Sequence, residues 1–269
     1  MRFQLRGDRF GAAVVLLFCL PLSAGVVYND LPNPIPQSSP SLGFQANHTS
    51  EWGDLIELSS GAATLTGASI LMDDHALQSD YPGVGDSSGW SWPITLNLYN
   101  VDSSSGTPQP GSLIYTTTAS FTMPWEPAGQ PGQDFLITYS LPDVATPSEF
   151  IYSVVYNTET FGPDPTNTSG PVISLNVAAN DTAPPQVGTR PNPDTTYLNA
   201  NDCAYYSDNC AGGSAGVFRQ DTGWTPYSVA GEFTAQDAVP EPGTLSLLGC
   251  GALVLGGLLA RRRRSRRAA

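Results

Sequence analysis

Two runs of alternating side chains fix the fold class of this chain. In Pro93-Ile94-Thr95-Leu96-Asn97-Leu98-Tyr99, the side chains of Ile94, Leu96 and Leu98 fall on one side of an extended backbone. In Phe135-Leu136-Ile137-Thr138-Tyr139-Ser140-Leu141, the same spacing aligns Phe135, Ile137, Tyr139 and Leu141. A period of two marks a strand with one face against a core and the other toward water. Further runs occur at Asp54–Leu58, Thr64–Met72, Ser112–Phe121, Phe150–Tyr156, Val172–Val177 and Ala230–Ala235. Gly, Pro, Ser, Asn and Asp fill the connections, and no segment between the termini shows a helical apolar period. The pattern predicts an all-β domain, a sandwich or jelly roll, without internal repeats. Residues 26–41, rich in Pro, Asn and Ser, read as an extended lead-in.

Both ends of the chain differ from this middle. At the N-terminus, Arg2, Arg6 and Arg9 precede an apolar stretch, Phe10–Leu22, and then the small residues Ser23, Ala24 and Gly25. That order predicts a signal peptide over residues 1–25, cut after Ala24 or Gly25. Cys19 lies inside the apolar stretch after Phe18, so it does not read as a lipidation site. At the C-terminus, Val239-Pro240-Glu241-Pro242-Gly243 is followed by the uncharged run Thr244–Ala260 and then by Arg261–Arg264, Ser265, Arg266 and Arg267. A helix over 244–260 would be roughly 25 Å long, slightly short of a hydrocarbon core of ~30 Å that snorkelling arginines help to bridge. The prolines block its extension toward the N-terminus. The Arg cluster predicts a cytoplasmic end by the positive-inside rule.

A Pro-Glu-Pro break, a membrane-length helix and a terminal Arg cluster in immediate succession resemble the PEP-CTERM sorting signal. The resemblance covers about residues 239–267. It implies recognition through Pro240, Glu241 and Pro242 by an exosortase-like enzyme, transient anchoring in the inner membrane over 244–260, and delivery to the cell surface or extracellular matrix. The stretches Pro93–Val101, Pro110–Ile114 and Asp221–Tyr227 are similar to strands of the β-sandwich ectodomains found in such proteins. That second resemblance supports a fold for residues 26–239 and carries no reaction with it.

Charge narrows the partners. The chain has 24 acidic and 11 basic residues. Only Asp8 and Glu241 of the acids lie outside residues 26–239, and only Arg190 and Arg219 of the bases lie inside. The segment therefore carries 22 acids against 2 bases, a net of −20, with no lysine. Such a surface repels nucleic-acid phosphates, so no nucleic-acid partner is expected. It suits cations or neutral polymers such as extracellular polysaccharide. Cys250 falls in the apolar tail, which leaves Cys203 and Cys210 in a short polar loop. In an exported protein that pair reads as a disulfide, with free thiols as the alternative.

Catalytic motifs are weak. Gly85-Asp86-Ser87-Ser88-Gly89 matches the Gly-x-Ser-x-Gly spacing, but no His follows His75, and His48 and His75 stand too close before Ser87 for a protease barrel. Ser87 therefore reads as a loop serine, and the chain as a non-enzyme. Asp73-Asp74-His75 and the loop bearing Asn199, Asn201, Asp202, Asp208 and Asn209 hold calcium-type ligands without EF-hand spacing. No cofactor is expected, with a structural calcium as the alternative to solvated acids. Trp90 and Trp92 share one face of an extended segment. Exposed, with Trp52 or Trp125 nearby, they would form a stacking platform for sugar rings; buried, they would belong to the core. The sequence thus predicts an exported structural or adhesive protein, with a glycan-binding module as the alternative and a polysaccharide-acting enzyme behind it.

Overall fold

Thirteen strands form two antiparallel sheets in the computed structural model, which describes residues 24–47, 49–156, 170–181, 184–200 and 217–236. The described residues belong to one unit, Ala24–Ala238. In chain order the strands are β1 (Ala24–Asn29), β2 (Ser41–Gly43), β3 (Thr49–Glu57), β4 (Ala63–Asp74), β5 (Trp90–Asp102), β6 (Gln109–Met123) and β7 (Gln133–Thr146). They continue with β8 (Glu149–Val155), β9 (Leu175–Asn180), β10 (Thr195–Ala200), β11 (Arg219–Thr222), β12 (Ser228–Val229) and β13 (Gly231–Gln236). One sheet runs β1-β13-β4-β9-β12, with β7 also paired to β4 and β2 to β9. The other runs β11-β10-β3-β8-β5-β6. The fold is all-β and sandwich-like, with a main apolar core drawn from both sheets and two smaller buried clusters beside it.

The alternation read from the sequence sets which faces meet. Ile94, Leu96 and Leu98 of β5 are buried, as are Ile137, Tyr139 and Leu141 of β7. Phe121 meets Tyr139 edge-on, with ring centroids 4.9 Å apart, where β6 passes β7. Phe233 of β13 packs edge-on against Tyr152 and Phe150 of β8 at 5.0 and 5.5 Å. Aromatic pairs in this geometry add to the burial of their surface.

Three sequence expectations change. Residues 170–174 form a turn of 3-10 helix, so the predicted strand over Val172–Val177 shortens to β9. Gly170 with φ 68° and Pro171 favour the tight turn over a ladder there. The lead-in 26–41 is partly strand, since β1 lies along β13 and β2 along β9. Strands β10 and β12 escaped the sequence reading because each is short, and β11 overlaps the stretch Asp221–Tyr227 only at Asp221 and Thr222.

Two connecting segments lock onto the sheets. Residues 184–190 strap across strand ends of both sheets: Asn29 N donates to Val187 O at 3.0 Å, and Glu57 and Thr189 exchange backbone bonds of 2.9 Å. Gly188 permits the close approach, with φ 77° and a hypothetical Cβ only 2.6 Å from Glu57 O and 2.8 Å from the Tyr28 ring. Residues 37–39 lie against β7, where Asp134 accepts the Ser39 hydroxyl at 2.6 Å and the Ser39 amide at 3.1 Å.

Candidate functional site

The residues singled out in the sequence do not converge. Ser87 is exposed in a tight turn closed by Asp86 and Gly89, and the neighbouring Ser88 hydroxyl donates to the Asp86 carboxylate. Among the described residues no histidine is bonded to Ser87. Asp73 and Asp74 are consecutive strand residues, so their side chains leave opposite faces of β4. Asp73 Oδ2 accepts the Ser41 hydroxyl at 2.9 Å and lies 2.8 Å from His75 Nε2. Asp74 instead accepts the Trp90 indole at 2.7 Å and the Ala76 amide at 3.0 Å. The candidate ligand set Asp73-Asp74-His75 is therefore split, and no metal-holding group of three or more His, Cys, Asp or Glu forms among the described residues. Of the second proposed set only Asn199 is described. Cys203, Cys210, Asn201, Asp202, Asp208, Asn209 and His48 lie outside the described residues, as do Pro240, Glu241, Pro242 and the run 244–260. Among the described residues no helix is long and apolar enough to cross a membrane.

Of the two readings of Trp90 and Trp92, the core and not the exposed platform is the one observed for Trp90. Trp90 is 2 % exposed, held inward by its bond to Asp74, and Trp92 is half-buried against the core. Trp125 does approach Trp90, at 6.5 Å between ring centroids, but the ring nearly parallel to it is Tyr81, at 6.4 Å and 15°.

The aromatic surface lies elsewhere. A groove of about 340 Å³ is lined by Pro40, Ser41, Leu42, Trp52, Ala179, Trp224 and Tyr227. Its volume is in the range of small-ligand sites. Trp52 forms the floor: it is buried, and its indole donates to Thr196 Oγ1 at 2.7 Å. The Trp224 ring sits 5.4 Å from it, tilted by 41°, with its indole on Asp221 Oδ2 at 2.8 Å. Tyr227 is 39 % exposed at the rim. The turn that carries both is fixed from below. Asp194 accepts the Thr225 hydroxyl at 2.9 Å, and its backbone carbonyl accepts the Gly223 and Trp224 amides at 3.0 and 3.2 Å. Arg190 Nη2 donates to Tyr227 O at 3.1 Å. The rings are thus positioned before any ligand arrives, which reduces the ordering cost of binding.

Beside this turn lies a buried polar network. Arg190 Nε stands 2.8 Å from Asp54 Oδ2, with both side chains almost fully enclosed. The contact is an ion pair and not an aligned hydrogen bond. Asp30 accepts the Ser228 hydroxyl, and its Oδ1 accepts Asn180 Nδ2 at 2.8 Å. Tyr152 donates to Val229 O at 2.6 Å, whereas the Tyr28 hydroxyl is buried without a hydrogen-bond partner. Burial pushes Asp54 up to about 7, against the pull of Arg190. Burial likewise raises Asp74 to about 7, and also raises Asp30 and Asp134. His75 is raised chiefly by its hydrogen bond to Asp73.

These shifts share one sign. A carboxylate whose folded pKa exceeds its unfolded value holds more protons folded than unfolded, so stability falls as pH rises between the two values. For Asp54 and Asp74 that window runs from the ordinary carboxylate range up to about 7. The stabilising His75–Asp73 contact is lost as pH rises through the raised His75 value. Asp86 and Asp102 shift downward, toward the opposite trend, but both are fully exposed and contribute little. Thermal unfolding should therefore occur on the order of 5–10 °C higher near pH 5 than near pH 8. A Tm that rises from pH 5 to pH 8 would contradict the burial of these carboxylates.

Comparison with protein-family models, curated proteins and solved structures returned no match to this chain. Fold and site define an all-β, sandwich-like domain with a preformed aromatic groove beside a buried acid–arginine network. Sequence reading missed Trp224, Tyr227, Asp54 and Arg190 as a group. One signal was available: Arg190 is one of only two bases in residues 26–239, a scarcity that marks it as a partner for a buried acid.

Proposed function

We propose that this chain is an exported protein held briefly in the inner membrane by residues 244–260. In this reading an exosortase-like enzyme reads Pro240-Glu241-Pro242, and the protein is released to the cell surface or extracellular matrix. There the domain, a β-sandwich of jelly-roll type, has a structural or adhesive role without catalysis, and Cys203 and Cys210 close a disulfide loop. The observation that carries this reading is the uninterrupted order of three unlike features over 239–267. The test is topological. Protease added to spheroplasts should digest residues 26–239, whereas complete protection would rule out export.

A second reading is favoured by the groove. Tilted Trp rings with an exposed Tyr at the rim present flat apolar faces and polar edges, the surface on which sugar rings stack. The net charge of −20 over residues 26–239 directs that surface toward neutral chains. Trp224→Ala should lower affinity for a neutral extracellular polysaccharide by at least about tenfold, or ~1.4 kcal/mol. Unchanged retention on a polysaccharide affinity gel would remove the groove from the glycan reading.

A further inference from the structure

We propose that β6 is a self-pairing edge, through which two copies of this chain join their sheets antiparallel into one. Edge strands present unpaired backbone donors and acceptors, and soluble proteins blunt them with charge, proline, bulges or cover. The other edges here carry such devices. β7 includes Asp134, Pro142 and Asp143, the last with φ 54° beside a register shift against β4. β1 is met by Val187 of the strap, β11 holds Arg219 and Asp221, and β12 has only two residues.

β6 confines them to its N-terminal end: Pro110, two register shifts against β5 between Pro110 and Tyr115, and the approach of β11 through Gln109 and Gln220 leave Thr116–Met123 without any. It is the longest strand, with 15 residues, and among the described residues it pairs only with β5. From Ser112 to Met123 it reads Ser-Leu-Ile-Tyr-Thr-Thr-Thr-Ala-Ser-Phe-Thr-Met, with no charge, proline or glycine. β-Branched and aromatic residues dominate, as pairing strands prefer. Leu113 is 49 % exposed, and Thr116, Thr118, Ser120 and Thr122 alternate along the open face. This uncharged stretch lies in a domain whose net charge is −20.

The occupant that fits best is a second copy. Antiparallel pairing of identical edges is two-fold symmetric and closes on itself. It brings no charged β6 side chains from Ser112–Met123 into opposition. What opposes it is the long-range repulsion between two acidic domains. Salt screens that repulsion, shortening the Debye length from about 10 Å at ~0.1 M to about 3 Å at ~1 M. Association should therefore strengthen with salt, the reverse of an interface held by ion pairs. The inference deepens the structural role but does not depend on export, because self-association is measured on purified protein.

The test is sedimentation equilibrium of the full chain in mild detergent, across a concentration series and at both salt levels. The wild type is expected to dimerise, with a dissociation constant at least about tenfold lower at the higher salt. Thr118→Lys combined with Ser120→Lys adds charge to two exposed positions of the edge and should leave only monomer. Hydrogen exchange on the wild type gives an independent measure, since amides over 112–123 should become slower to exchange as concentration rises. A wild type that stays monomeric at every concentration would overturn the proposal. So would concentration-independent exchange over β6, a folded lysine variant that dimerises like the wild type, or a monomer that instead pairs with an unrelated extended peptide. None of these outcomes bears on where the protein is delivered, which spheroplast proteolysis reads separately.

Discussion

Replacing Arg190 with Ala is expected to destabilise the domain by about 3–5 kcal/mol, because it leaves a buried carboxylate without its counter-charge. Asp54 lies on the core side of β3 between Trp52 and Ile56, and burial already holds it near 7 with Arg190 present. Without the guanidinium, Asp54 must take up a proton or remain charged in an apolar setting, and either costs stability at neutral pH. Arg190 also donates to the carbonyls of Tyr227 and Thr195, at 3.1 and 3.4 Å, so the loss reaches the turn that carries Trp224. Thermal unfolding should fall by about 10 °C or more at pH 7.5. The deficit should shrink near pH 5, where Asp54 is protonated in either protein. Replacing both partners with apolar residues of similar size should recover most of the loss, since the pair itself contributes little beyond its own desolvation cost. A single variant as stable as the wild type at pH 7.5 would mean that the Asp54–Arg190 contact is not a buried ion pair.

Replacing Glu241 with Ala should abolish release while leaving membrane insertion intact. Glu241 is the one carboxylate of the proposed recognition element, and the flanking Pro240 and Pro242 are kept in this variant. The apolar run and the Arg cluster are unchanged in this variant, so the proposed anchoring should persist. The full-length form should accumulate in the membrane fraction, with the released form falling to background on an immunoblot. Release equal to wild type would reduce residues 239–267 to a simple anchor.

How much of this was legible in the sequence depended on where polar residues sit. Alternation was clean over the centres of β5 and β7, where Ile94, Leu96, Leu98, Ile137, Tyr139 and Leu141 are buried as read, whereas Phe135 is half-buried. It was misleading in β3, where Asp54 points inward beside Trp52 and Ile56 while Leu55 joins Ile151 and Tyr197 in a separate cluster. A buried charge reads as solvent-facing until its partner, 136 positions later in the chain, is seen against it. Trp90 was ambiguous for a related reason: spacing placed it on a face, but only Asp74 explains why that face turns inward. Trp224 and Tyr227 flank Thr225-Pro226 in a polar turn, and period two carries no information in turns. Their convergence with Trp52 is set by long-range pairing of β10 with β3 and of β12 with β9.

Export and release can be read most directly from the C-terminus of the mature protein. Intact mass spectrometry of the chain recovered from the extracellular matrix should give a species that begins near Val26 and lacks Arg261–Arg267. Recovery of the protein only inside the cell, or in the matrix with Arg261–Arg267 still attached, would contradict sorting by residues 239–267.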